Sequence, residues 1–385
     1  MPIKILLNIL IFFPFFSIAE YHLTGSTFYL LFLRDISIGI FLIILLTLGV
    51  DRKLIITIPN IFAFIFIIYC FFLLFYNGIS VPNIMGFRQL IMFLLLFLCG
   101  ALSSQNLKNK FDINDFLQSR ILILLTFSLI LWIIPGFDEY KYIYTDDFRS
   151  LSYHGQGKDL YLERLYQGTT DGKYGFYRMI GDYPYERFYG PYFSPLTSGF
   201  LAFFAFILSK NDLKKYFYST LIFLSFTRAI IVGYVIYLFI TYKIQTKLLL
   251  MIISTLLIFI IFSQYQSLIF DTSTERHLKV YEELFRTSIP FLGTLSEASV
   301  AGRYSAYSTL GESLYIALLV NSGIIGILLI IFLLTNLVIE TKNSNTRTML
   351  IIVFLIGITS EIVLSVTAYG IFWLWLGFTY RNQKS

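Results

Sequence analysis

The chain has 385 residues, of which 57% are hydrophobic and 14% charged, with 41 Phe and 28 Tyr. An ordinary soluble domain is about 25% charged, and a water-soluble fold of this size could not hide so much apolar surface. Composition therefore excludes a cytosolic enzyme, a disordered scaffold and a nucleic-acid binder; the net charge of +6 is what the cytoplasmic helix ends of a polytopic membrane protein collect.

A bilayer core takes about 20 apolar residues per helix, with about 17 as a working minimum. Runs that meet or approach this length predict spans over 5–19, 28–50, 54–76, 87–102, 121–136, 192–208, 248–264, 311–339, 348–366 and 368–380. The first closes on Ser17-Ile18-Ala19, which resembles a signal-peptide cleavage site, but a multispan chain follows and the run is kept as a span. Cys70 and Cys99 fall inside apolar runs and read as packed thiols. His22, His154 and His277 are too scattered for a metal site.

Residues 216–242 read either as one long span carrying Arg228 or as two short helices meeting at Thr227-Arg228. Positive charge decides for the hairpin. With Lys4 cytoplasmic, the hairpin keeps Arg52, Lys53, Lys108, Lys110, Lys210, Lys214, Lys215, Lys342, Arg347 and the basic tail inside. The outward loops 20–27 and 77–86 then hold no Lys or Arg. The expected fold is a single integral membrane domain over 1–385. It is all-α and polytopic, with about twelve transmembrane helices and both termini cytoplasmic.

Two larger outward loops, 137–190 and 265–310, depart from the apolar background. The first carries eleven Tyr, nine acids and seven bases. Tyr rings stack on sugar C–H faces while hydroxyls and carboxylates bond sugar hydroxyls, although Tyr also favours the membrane interface on its own account. In the second loop, Glu275 to Ile289 is amphipathic, with Leu278, Tyr281, Phe285 and Ile289 on one face.

An ionisable group at mid-span costs about 2.5–3.5 kcal/mol, so each is a functional suspect. Arg34, Asp35, Arg88, Arg228, Glu312 and Glu361 all fall toward the outward ends of their spans. A transporter would place charges at the midplane; this set predicts a site open only outward. Arg34 and Asp35 alternatively mark the start of a shorter helix at Ile36, and Arg88 alternatively snorkels to headgroups. No GxxxxGK[ST] phosphate loop, HExxH motif or Asp-x-Asp pair occurs, so neither a metal nor another cofactor is expected.

Three local elements are similar to those of the O-antigen polymerases (Wzy-type), relatives of the O-antigen ligases. Arg187-Phe188-Tyr189-Gly190-Pro191-Tyr192-Phe193-Ser194-Pro195 resembles the family's Arg-x-x-Gly-x-x-x-Asn-Pro, with Ser194 where Asn is usual. Ser225-Phe226-Thr227-Arg228 resembles a Ser-x-Ser-Arg turn between two short helices. Glu312-Ser313-Leu314-Tyr315 before Gly323-Ile324-Ile325-Gly326 resembles the ligase His-Asn-x-Tyr-Leu…Gly-Ile-Ile-Gly signature. Glu312 stands where ligases have His, which favours a polymerase.

The resemblance implies a metal-independent, inverting glycosyltransferase of the bacterial inner membrane with a periplasmic active site. It would join undecaprenyl-diphosphate-linked oligosaccharide repeats into O-antigen polysaccharide, amid membrane lipids and with a chain-length regulator as partner. A ligase or a lipid-linked oligosaccharide flippase is the alternative. Arg228 with Arg303, and also Arg187 or Arg88, are the expected diphosphate contacts. Glu312 is the expected base, Glu361 a further candidate, and Tyr189, Tyr304 and Tyr315 the expected sugar contacts.

Overall fold

The computed structural model describes residues 2–24, 28–47, 57–107, 112–134, 177–180, 183–188, 190, 195–225, 227–241, 282, 290–295, 313–358 and 368–380. The helices among them are α1 (Pro2–Thr24), α2 (Phe28–Thr47), α3 (Ile58–Asn77), α4 (Val81–Leu107), α5 (Ile113–Ile133), α6 (Pro195–Leu208), α7 (Asp212–Leu224), α8 (Arg228–Thr241), α9 (Leu314–Glu340), α10 (Ser344–Gly357) and α11 (Ala368–Thr379). Two short strands, β1 (Tyr177–Ile180) and β2 (Tyr183–Glu186), pair antiparallel between α5 and α6. This hairpin sits in the first large loop and is an addition to the all-helical expectation.

By length and composition α3, α4, α5 and α9 can each cross a bilayer. The surface of α3 agrees. On α3, Ile61, Ile65, Ile68, Phe72 and Phe75 form a helical-period stripe of exposed apolar side chains, a face that water would penalise and lipid does not. The expected span 248–264 lies outside the described residues.

Several helices begin earlier than hydropathy predicts, because polar first turns are helical once capped. Asp112 accepts from the amides of Asn114 and Asp115, Asn211 from that of Lys214 and Asn343 from that of Thr346. These caps satisfy amides that have no intrahelical partner. Thus α5 starts at Ile113 and not at 121, and α10 at Ser344 and not at 348.

At the centre, α11 is buried on every side from Tyr369 to Tyr380, as befits a helix apolar all round. It runs parallel to α4, with Phe93 against Trp373 and Phe97 against Tyr380 at ring separations of 5.0 and 5.6 Å. It is also parallel to α6, where Phe200 stacks on Tyr369 at 3.6 Å and Phe204 meets Trp375 at 5.1 Å. By contrast, α3 and α9 are antiparallel: Phe62 stacks on Phe332, and Tyr69 Oη donates to Ser322 O at 2.8 Å.

Two expectations need correction. Arg34 and Asp35 do not open a helix at Ile36, because α2 already starts at Phe28. Nor is the span 311–339 continuous. Gly323 sits at φ +70°, ψ −175°, and breaks α9. Residues 290–295, expected in a surface loop, pack into the break. There the amides of Thr294 and Leu295 donate to the carbonyls of Val320 and Asn321, and the amide of Ile324 donates to Pro290 O. Backbone groups freed by a break at membrane depth need such partners, and the inserted segment supplies them.

Gly323→Val should therefore be among the most damaging apolar substitutions in α9. A branched side chain at this φ costs about 1–3 kcal/mol, and its Cβ would press on Phe291 O and on the backbone of Gly293. A thermal melt of the detergent-purified protein should show a clear drop, with Ile325→Val, on regular helix, close to wild type.

Candidate functional site around the α7–α8 turn

Between α7 and α8 the chain turns without Gly or Pro. Polar residues at 225 and 227 explain how. Ser225 Oγ donates to Ile222 O, and Thr227 Oγ1 donates to Ser225 O, so side chains compete with the helical ladder at this point. The last carbonyls of α7 then take donors from the incoming chain. The Phe188 amide donates to Leu224 O at 2.8 Å, and Arg187 Nε donates to Ser225 O at 2.8 Å. Arg187 Nη2 also donates to Thr227 Oγ1 at 2.9 Å. The expected pair of helices meeting at Thr227-Arg228 is present, and Arg187 fastens it.

The latch is held from two further sides. Phe188 is fully buried and lies edge-on to Trp132 of α5 at 6.0 Å. Gly190 has φ +57°, and a Cβ there would overlap Ser198 Oγ in the first turn of α6, so this position suits glycine alone. Pro195 opens α6, where a missing amide hydrogen costs nothing. In this way the Arg187-to-Pro195 element and the Ser225-to-Arg228 element, far apart in sequence, meet at one point.

Arg228 is the first residue of α8, is half-buried, and has no acidic residue in the first turn beside it. A cation there opposes the helix dipole and costs about 0.3–1 kcal/mol. Arg228 at the first position of α8 and the Arg187 guanidinium against the preceding Thr227 thus stand at one turn, and guanidinium groups are the donors suited to an anion. Helices α7 and α8 have 13 and 14 residues, so each rises about 20 Å. That is less than the roughly 30 Å hydrocarbon thickness.

Asp35 forms a second charged group. Its carboxylate accepts from Arg34 Nε and Nη2 at 3.0 and 2.9 Å and is ion-paired with Arg88 Nε. Arg34 is 3% exposed as a side chain and lies over the Phe13 ring at 4.4 Å. The cluster ties α1, α2 and α4 together. Arg88 thus points to a carboxylate in the bundle rather than snorkelling.

Among the other expected site residues, Tyr315 is half-buried and its hydroxyl donates to Phe354 O of α10 at 3.0 Å, which joins α9 to α10. Tyr189, Arg303, Tyr304, Glu312 and Glu361 lie outside the described residues. The structure brings Arg187 and Arg228 to one turn and gives Arg88 a separate partner. Phe188 and Trp132 as supports, and the insertion of 290–295 at Gly323, were not read from the sequence. In the structure the backbones of Gly293 and Gly323 approach closely, and a Cβ on either would overlap the facing segment.

Arg187→Lys should weaken this turn. One ammonium cannot span Ser225 O and Thr227 Oγ1 as the planar fork does, and a buried acceptor left short costs about 1–3 kcal/mol. A melt of the purified variant should report that loss, while Lys214→Arg in α7 should leave the midpoint close to wild type.

Comparison with known protein families, curated proteins and solved structures yields no match to this chain.

Proposed function

We propose that the chain is an inverting glycosyltransferase of the O-antigen polymerase type, with about twelve spans and a periplasmic active site in a bacterial inner membrane. It would join oligosaccharide repeats carried on undecaprenyl diphosphate. One observation carries this reading: two sequence elements that separately resemble those of that family converge on the turn where Arg228 opens α8 and Arg187 holds it.

The chemistry has two demands. As the bond from the anomeric carbon to the diphosphate oxygen breaks, its electron pair leaves with undecaprenyl diphosphate, and the growing charge needs donors. Arg228 at the α8 N-terminus supplies them, with Arg303 as second contact. Arg187 acts as a positioning residue, since its donors hold the turn. The acceptor hydroxyl forms the new glycosidic bond to that carbon from the opposite face. Its proton passes to a carboxylate, for which Glu312 is the candidate and Glu361 the reserve. Tyr189 and Tyr304 are the sugar-stacking candidates. Because α7 and α8 each rise only about 20 Å, short of the roughly 30 Å hydrocarbon thickness, their turn would lie in a recess below the bilayer surface, where ion-pair contacts to phosphate are less screened.

Deleting the gene and inspecting surface polysaccharide tests the class. A single repeat unit on the lipid core supports a polymerase. Complete loss of repeats indicates a flippase, and polymer stranded on the carrier lipid indicates a ligase; either result refutes the proposal.

A further inference from the structure

At the end of α6, α7 and α8 opposite the Arg187 turn, a cavity of about 510 Å³ opens between these helices and the start of α10. It lies about 20 Å from the turn, the rise of α6. Its size is in the usual range for small-ligand sites, about 300–1,000 Å³. One side is apolar, built from Phe206, Ile207 and Ile240. The other presents Lys215, Ser344 and Thr348, and no acidic residue among the described residues lines it.

Three observations give the polar side its chemistry. Thr348 is 9% exposed, lines the cavity, and has no hydrogen-bond partner among the described residues. The first two amides of α10, at Ser344 and Asn345, likewise have no acceptor among the described residues, because the Asn343 cap serves Thr346 and Arg347 instead. Lys215 is 30% exposed; its contact with Asp212 is a long 3.6 Å, and Asp212 itself is 85% exposed. An ammonium, an orphan hydroxyl and helix-start amides recognise an oxyanion.

The connecting segments 209–215 and 341–347 add Lys210, Lys214, Lys342 and Arg347 against Asp212 alone. An oxyanion cradle with an apolar wall, at the basic end of the short apolar helices α6, α8 and α10, matches a lipid and not a soluble metabolite. We infer that this cavity binds the phosphodiester headgroup of an anionic glycerophospholipid, with the upper acyl chain against Phe206 and Ile240. The inference needs membrane embedding but not the glycosyltransferase proposal, so loss of either leaves the other standing.

Native mass spectrometry of the full chain, purified in detergent and titrated with phosphatidylglycerol, phosphatidylcholine or inorganic phosphate, tests it. Wild type should bind phosphatidylglycerol about fivefold more tightly than phosphatidylcholine, from one well-placed basic contact. Lys215→Gln should remove most of that preference, Thr348→Val should weaken both lipids alike, and Lys215→Arg should keep the preference. Equal affinity for the two lipids, or variants that bind phosphatidylglycerol as wild type does, would overturn the assignment. So would saturation by millimolar phosphate with no preference between lipids, which marks a soluble-anion site. A melt of each variant separates lost binding from lost folding: a variant with a wild-type midpoint and no preference supports the site.

Discussion

Arg228→Lys should lose chain extension almost as completely as Arg228→Ala, by about 10²–10³-fold, the scale on which removing one transition-state donor acts. Charge alone predicts a mild effect, since lysine keeps it. Geometry predicts otherwise: a guanidinium grips two phosphate oxygens with parallel N–H groups, and a single ammonium cannot reproduce that fork. The location sharpens the contrast. Arg228 begins α8 directly after Thr227, whose hydroxyl is already taken by Arg187 and Ser225. Extension of lipid-linked repeats by purified protein is the measurement, with a melt to show that the Lys variant still folds. Lys activity within threefold of wild type would make Arg228 a point charge and not a fork.

Glu312→Gln should cost about 10²–10⁴-fold in the same assay, the span that positioned proton transfer contributes. Glutamine keeps the size and one acceptor oxygen but cannot take a proton at neutral pH. Glu312 immediately precedes Ser313, the N-cap position of α9, where a carboxylate is also favourable to the helix by about 0.3–1 kcal/mol. That structural benefit is too small to imitate the catalytic loss, so the two roles separate by magnitude. Near-wild-type extension from Glu312→Gln would transfer the role to Glu361 or to an acid of the 137–190 loop.

What the sequence carried and what it did not follows from the kind of information each feature uses. Apolar runs reveal that α3, α4, α5 and α9 exist, because hydrocarbon demands them over a fixed length. Helix starts at Ile113 and Ser344 were misjudged because hydropathy ignores Asp112 and Asn343, whose capping side chains draw polar residues into the first turn. The break between α7 and α8 was legible from charge placement. Its fastening by Arg187 was not, since a contact across 38 residues leaves no periodic trace. The same holds at Gly323. Gly-Ile-Ile-Gly inside an apolar run reads as ordinary small residues in a span, and only the backbone of 290–295 in contact with Asn321 shows that the helix is interrupted. Asp35 illustrates the reverse case: two suspects flagged separately, Arg34 and Arg88, prove to be its partners.

The most direct test of the central claim is reconstitution. Purified protein in liposomes, supplied with an undecaprenyl-diphosphate-linked repeat unit on the outer face and a metal chelator, should give a ladder of products rising by one repeat unit per step. Undecaprenyl diphosphate should be released one for one with each new bond. Repeat units that cross the bilayer without joining, or that appear only on a lipid acceptor as single transfers, would contradict it.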